Sequence, residues 1–299
     1  NEIEEQLDDA GYIGGAAYWN YGSNVSMDNT EISNNELLAN RDENDFGSII
    51  NVIFGSSARF KMKNIALVGN ISWGYLIGMY GQPTSLVGSI IYDNHAYRGF
   101  YSGSDQLIIL NSNIIGNIWE KTYMMGYTFI INSILRNNTM IDPYPPSVGP
   151  LLFGGFYISY SNIDVTEFDE SVQETLLESL NNHPQNIGNN ISEDPLFISY
   201  PDNLSLSPSS PCIDAGTIAI DEAVLLPEIL PSEWIEMDEY FGENPDIGAF
   251  ESGDQIWGCF DNLACNYNAD ATVNDSSCWY PEEGCTCDDG TGATTDCAG

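Results

Sequence analysis

Three groups of residues in this chain could do chemistry, and each would do a different kind. Asp93, His95 and Arg98 stand close together, and Arg59, Lys61 and Lys63 form a second basic knot. Elimination from a sugar ring needs a base such as Arg or Lys beside Ca²⁺, whereas glycoside hydrolysis needs two carboxylates at a defined separation. Neither set is marked out here. Lys61 and Lys63, two residues apart, read as the solvent side of one strand, and His95 reads as a turn residue. No acidic pair stands out from the 44 carboxylates. The expectation is a protein that is not an enzyme, with a polysaccharide lyase or glycoside hydrolase as the alternative.

The second group is aromatic. Trp73, Tyr75, Tyr80, Tyr92, Tyr97 and Tyr101 are bunched in neighbouring segments and could form a stacking platform for a polysaccharide; the competing reading is core. The third group is at the C-terminal end. Asp261, Asn266, Asn268, Asp270 and Asp275 offer oxygen ligands for Ca²⁺, although their spacing is not that of an EF-hand loop.

Charge narrows the partners. Asp plus Glu number 44 against 7 Lys plus Arg, a formal charge of −37, and no Lys or Arg follows Arg136. Phosphate recognition works by releasing counterions with basic side chains, so nucleic acid is not an expected partner, and nor is an anionic membrane surface. Such acidity suits a protein dissolved in salty water, where self-repulsion is screened over about 8 Å. No apolar run approaches 18 residues, so no membrane insertion is expected. The acidic start, Asn-Glu-Ile-Glu-Glu, does not read as a secretion signal, and the sequence reads as a piece of a longer chain.

The elements that would position these residues are repeats. Asn111-Ser-Asn-Ile-Ile-Gly-Asn117 has relatives at Asn29 to Asn35, Asn64 to Asn70, Gly88 to Asn94 and Asn132 to Asn138. The closing residues Asn35, Asn70, Asn94, Asn117 and Asn138 are 35, 24, 23 and 21 apart, a solenoid period with one insertion. Gly and Asn interrupt every apolar run too early for helices, and the text reads as three short strands per coil. Aliphatic residues would fill the coil interior. The closing Asn would form a structural ladder of stacked amides while tolerating left-handed backbone. A polar lead-in precedes the repeats, read as a short helix over Ile3 to Leu7. Insertions are expected at about 167–190, with a helix over 172–180, and at 221–242, as a loop lying on the solenoid.

Three later segments carry a resemblance. Glu193-Asp-Pro-Leu-Phe197, Leu204-Ser-Leu-Ser-Pro-Ser-Ser-Pro-Cys-Ile-Asp-Ala-Gly216 and Pro245-Asp-Ile-Gly-Ala-Phe-Glu251 follow the Asn-ended repeats in that order. Together they resemble the C-terminal coils of secreted bacterial right-handed parallel β-helix proteins of the pectate-lyase-like superfamily, in its surface-protein branch. The resemblance implies that the first two segments build the last coils and the third adds a closing strand. Asp214 and Asp246 are expected to accept backbone N–H groups in turns. The fold class is therefore all-β, a right-handed parallel β-helix over 1–254.

Residues 255–299 read as a separate module. Cys259, Cys265, Cys278, Cys285, Cys287 and Cys297 lack paired Cys-x₂-Cys knuckles and any nearby His, which favours disulfides over zinc. Their pairing stays open among 15 possibilities. The stretch Gly258-Cys-Phe-Asp-Asn-Leu-Ala-Cys-Asn-Tyr267 through Cys278 resembles a small Cys-rich repeat of marine bacterial surface proteins. Asn274-Asp-Ser276 replaces that repeat's Asp-Asp-Gly and removes one carboxylate. The whole is read as a secreted, cell-surface structural or adhesive solenoid. Its coil ends would associate head-to-tail into a homo-oligomeric fibre or continue into other segments of a longer chain, and a polysaccharide is the alternative partner.

Overall fold

The computed structural model describes residues 6–7, 13–20, 25–37, 48–53, 60–80, 84–141, 152–153, 156–164, 181, 188–220, 237, 239–252, 257–259, 261–268, 273–274 and 277–280. They form an all-β parallel β-solenoid, followed by a region closed by a disulfide. Two compact units separate at Phe250, Asn1–Phe250 and Glu251–Gly299.

The coil's second face is the simplest. Glu31–Ser33, Ala66–Val68, Ile90–Tyr92, Asn113–Ile115, Ile134–Arg136 and Asn162–Ile163 stack in parallel as a six-stranded sheet. Their central residues Ile32, Leu67, Ile91, Ile114, Leu135 and Ile163 are in register and buried in one core. On the first face Met27, Met62, Leu86, Ile109, Ile130 and Ile158 do the same. With rungs about 4.8 Å apart, like side chains meet like, so a repeat in sequence becomes a continuous apolar column.

The third face departs from the three-short-strand expectation. His95–Leu110 and Ile118–Ile131 run unbroken over 16 and 14 residues from the third face round to the first face of the next coil. Register shifts between Ala96 and Arg98 and between Tyr101 and Gln106 bend them at the corners without ending the pairing. The long first repeat step is also explained. Ser48–Ile53 is an additional strand, paired with the later half of Ile71–Tyr80 on one side and with Ile13–Asn20 on the other.

Two expectations are corrected, and a third lies outside the described residues. Gln6–Leu7 is a strand paired antiparallel with Ile13 and Gly14, not helix; two backbone partners outweigh a nucleus too short to propagate. The expected helix over 172–180 lies outside the described residues, but the end of that insertion is part of the stack. Ile191 bridges Asn162, and Tyr160 N–H donates to the Gly188 carbonyl. Finally, the segments that resemble last coils do not stack as coils. Phe197–Ser199 and Asn203–Leu206 pair as an antiparallel hairpin, and the chain then folds back along the outside of the second face.

That return is fixed by side chains of earlier rungs. Asn132 accepts from Thr217 N–H and donates to the Thr217 carbonyl, at 2.9 and 2.8 Å. Asn113 accepts from Ala249 N–H, and Asn111 donates to the Asp246 carbonyl. Asp246 accepts from Asp214 N–H, and Asp214 accepts from Glu243 and Asn244 N–H. Gly248 has φ +123°, and a Cβ there would sit 2.9 Å from both Asn113 Oδ1 and Ile134 Cδ1. Leu204, Leu206, Cys212 and Ile247 thereby cover Ile115 and Ile134, while Ile220 and Met237 cover Val87, Ile108, Phe129 and Ile131 on the first face.

Cys212 is wholly buried, and its Sγ takes the Asn162 Nδ2 hydrogen at 3.3 Å. Burial pushes its thiol from 9.0 up to about 11. The folded chain holds that proton more tightly than the unfolded one, so the contribution is complete below pH 9 and lost as pH rises from 9 to 11. Urea melts at pH 8 and pH 10.5 should differ by about 2 kcal/mol more in the native chain than in Cys212→Ala. Equal pH slopes in the two proteins would refute this account.

Candidate functional site

The repeat asparagines form one continuous ladder. Asn35, Asn70, Asn94 and Asn117 each give backbone N–H and Nδ2 to the Oδ1 of the next, ending on Asn138, at 2.9–3.1 Å throughout. Each of the last four also gives Nδ2 to a carbonyl one rung back: Ile32, Leu67, Ile91 and Ile114. Left-handed backbone, assigned above to these same residues, belongs instead to their predecessors. Asn34, Gly69, Asp93, Gly116 and Asn137 have φ between 53° and 66°. The turn therefore divides its labour between two adjacent residues.

A second ladder escaped the sequence reading. Ser89, Ser112, Ser133 and Ser161 each donate Oγ–H to the carbonyl two residues back and accept a backbone N–H from the preceding rung, those of Ile65, Ser89, Ser112 and Ser133. Asn190 takes over at the C-terminal end, accepting from Ser161 N–H, and Asn181 closes the row by accepting the Asn190 amide hydrogens. The signal was present as the Ser that follows the first turn residue of the later repeats, at 89, 112, 133 and 161, where the first two repeats have Thr30 and Ile65. Asn70 and Asn190 both begin Asn-x-Ser sequons, yet their amides are buried in these rows.

The aromatic group divides. Tyr92 lies on the second face against Tyr200, ring centroids 6.3 Å apart, and Tyr200 stacks on Phe197. Tyr75 is only 2% exposed, so its ring is no open platform; burial raises its hydroxyl pKa, opposed by the adjacent Arg98. Arg98 Nη1 donates to Tyr75 Oη at 2.9 Å, and its guanidinium lies 5.5 and 5.4 Å from the rings of Tyr75 and Tyr97. Tyr101 packs on Tyr75 at 5.0 Å. Trp73 and Tyr97 are partly exposed beside them, and the side chain of Tyr80 lies outside the described residues. Asp93 occupies a turn, and His95 approaches Glu120 at 3.3 Å, not Arg98 or Asp93. Lys61 and Lys63 lie partly exposed on one side of Phe60–Lys63, while Arg59 lies outside the described residues.

In the second unit Cys259 bonds Cys278 across 19 residues, and Cys265 is disulfide-bonded too. Cys285, Cys287 and Cys297 lie outside the described residues, as do Asp270 and Asp275. Asp261 accepts from Leu263 N–H and from the Tyr280 hydroxyl, and the Tyr280 bond is the larger cause of its lowered carboxyl pKa. Asn266 accepts from Trp279 N–H and donates to the Ser277 carbonyl, and Asn268 N–H donates to the Cys259 carbonyl. These groups hold the loop together around the disulfide. No group of three or more His, Cys, Asp or Glu among the described residues is arranged to hold a metal ion.

Comparison with known proteins adds no relative: no family model, no curated protein and no solved structure matches this chain. The parallel β-solenoid stands on its own geometry.

Proposed function

We propose that this chain is an extracellular structural element of a surface, a stacked rod serving adhesion rather than turnover. The observation that carries the reading is the pair of ladders. The ladder Asn side chains, and the Ser hydroxyls of the later repeats through the backbone N–H each accepts, tie every rung to its neighbour, so repetition here builds length and stiffness. The disulfides of the second unit fit an oxidising compartment.

The two ends of the stack differ. At the C-terminal side Asn190, Asn181 and the bridge at Ile191 continue the last rung, and Arg136 ties Asn162 to the Ser192 and Glu193 carbonyls. At the other side Glu31–Ser33 is the last strand of its sheet among the described residues, with Glu31 and Glu36 exposed. Charged residues on an edge strand discourage further pairing. End-to-end growth is therefore the weaker form of the reading. An antibody to the 299-residue chain should label intact producing cells without permeabilisation. Labelling confined to permeabilised cells, with Cys259 and Cys278 reduced, would remove it. Release of new sugar ends from a panel of pectins, alginates and sulfated glycans would replace it by a polysaccharide lyase or hydrolase.

A further inference from the structure

Two faces of the solenoid have apolar outer residues that the chain's own later segments cover. The third face is different. Ile71, Ile118 and Ile141 are 40%, 37% and 60% exposed, with Trp73 and Tyr97 partly open among them. Large aliphatics, Trp, Tyr and Arg are the composition of a protein contact, with charged residues at its margin.

Charge says which protein. Residues 36–37, 71–73, 95–98 and 118–121 set Arg98 and Lys121 among the carboxylates Glu36 and Glu120, with His95 between, a balanced patch in a chain of net charge −37. The later segments that cover the other two faces carry no Lys or Arg, so two copies meeting through them would set acid against acid. Arg98 is also poorly served within its own chain. Among the described residues no carboxylate pairs with it, and its Nε is buried without a hydrogen-bond partner. By contrast, Arg136 reaches Asp164 and three oxygen acceptors. Glu120 uses one oxygen, Oε1, on His95.

We propose that the third face is a self-complementary interface that pairs two copies of this chain side by side. Two such faces related by a two-fold axis bring Arg98 of each copy toward Glu120 of the other and bury the three Ile rows between them. A two-fold contact of this kind closes at the dimer, so it makes pairs and not filaments. It is independent of the ladders on which the structural reading rests.

Sedimentation velocity of the full chain in moderate salt tests it. The expected result is a concentration-dependent dimer that Ile118→Glu shifts to monomer by at least tenfold in dissociation constant. Arg98→Glu and Glu120→Arg should each weaken the dimer, and the double exchange should restore it, because only a pair facing each other is repaired by swapping signs. Ile118 and Glu120 lie on the outer surface, and a retained far-UV spectrum separates lost pairing from lost folding. A native chain that stays monomeric at the highest concentration overturns the proposal. So does a dimer that the Ile118 and Arg98 variants leave intact. Retention on a glycan array, lost in Trp73→Ala while the native chain sediments as a monomer, would make the face a carbohydrate platform instead.

Discussion

Asn117→Ala should destabilise the first unit by about 3–5 kcal/mol, far more than a typical polar-to-Ala change. Asn117 is wholly buried in the middle of the ladder. Its Oδ1 takes two hydrogens from Asn94, and its Nδ2 serves Ile91 O, Ile115 O and Asn138 Oδ1. Truncation strands a backbone N–H, an amide N–H and two or three acceptors where water cannot replace them. Each stranded group costs about 1–3 kcal/mol, softened by relaxation. Asn35→Ala is the control. It sits at the ladder's end, partly exposed, and its loss should cost about 1 kcal/mol or less. Asn117→Asp keeps the shape but turns the donor edge into an acceptor facing three other acceptors. It should be at least as damaging as Ala at neutral pH. Urea unfolding of the four proteins ranks them, and a loss in Asn117→Ala no larger than in Asn35→Ala would show that the ladder is decoration.

The second large effect concerns the disulfides. Replacing Cys259 and Cys278 together by Ser should cost the second unit about 3 kcal/mol, enough to unfold it, since a closed loop of this length removes roughly that much entropy from the unfolded chain. Among its described residues, regular structure is limited to Trp257–Gly258 paired with Val273–Asn274, a bridge from Cys259 to Tyr267, and a few side-chain bonds around Asp261 and Asn266. That is too little burial to hold so short a segment without a staple. The first unit, whose one cysteine is the buried free thiol Cys212, should melt as before. Limited proteolysis with and without reductant separates the two. Cleavage confined to residues after 250 in reductant is expected, and a joint shift of both units would mean that they unfold as one.

How much of this was legible in the sequence depends on the distance over which each feature is decided. The Asn-ended repeat reports on a residue and its neighbours one coil away. Its period, its inward Ile and Leu, and the positions of the ladder residues all follow from strands stacked with a fixed rise. The Ser ladder was equally local and was missed, because one Ser in each of the later repeats does not stand out in a chain rich in polar turns. The turn misled in one respect. Asn suits both amide stacking and left-handed backbone, and sequence alone could not divide those tasks between Asn34 and Asn35, or between Asn137 and Asn138.

What lay beyond reach was long-range. Nothing in Cys212, Ile213 or Gly248 tells a strand added to the end of a stack from a segment laid along its side. The answer rests on Asn111, Asn113 and Asn132, more than 80 residues away, whose amides meet Asp246, Ala249 and Thr217. The aromatic cluster divided for the same reason. Tyr92 and Tyr97 are five residues apart but on opposite sides of the ladder turn, so one packs under Tyr200 and the other stands beside Arg98. That the chain stacks β-coils on an Asn ladder is readable from the residues alone, because stacking repeats the same local contacts at every rung. Which outer faces the chain covers for itself and which stay exposed is settled by long-range packing, because it depends on where one distant segment comes to rest.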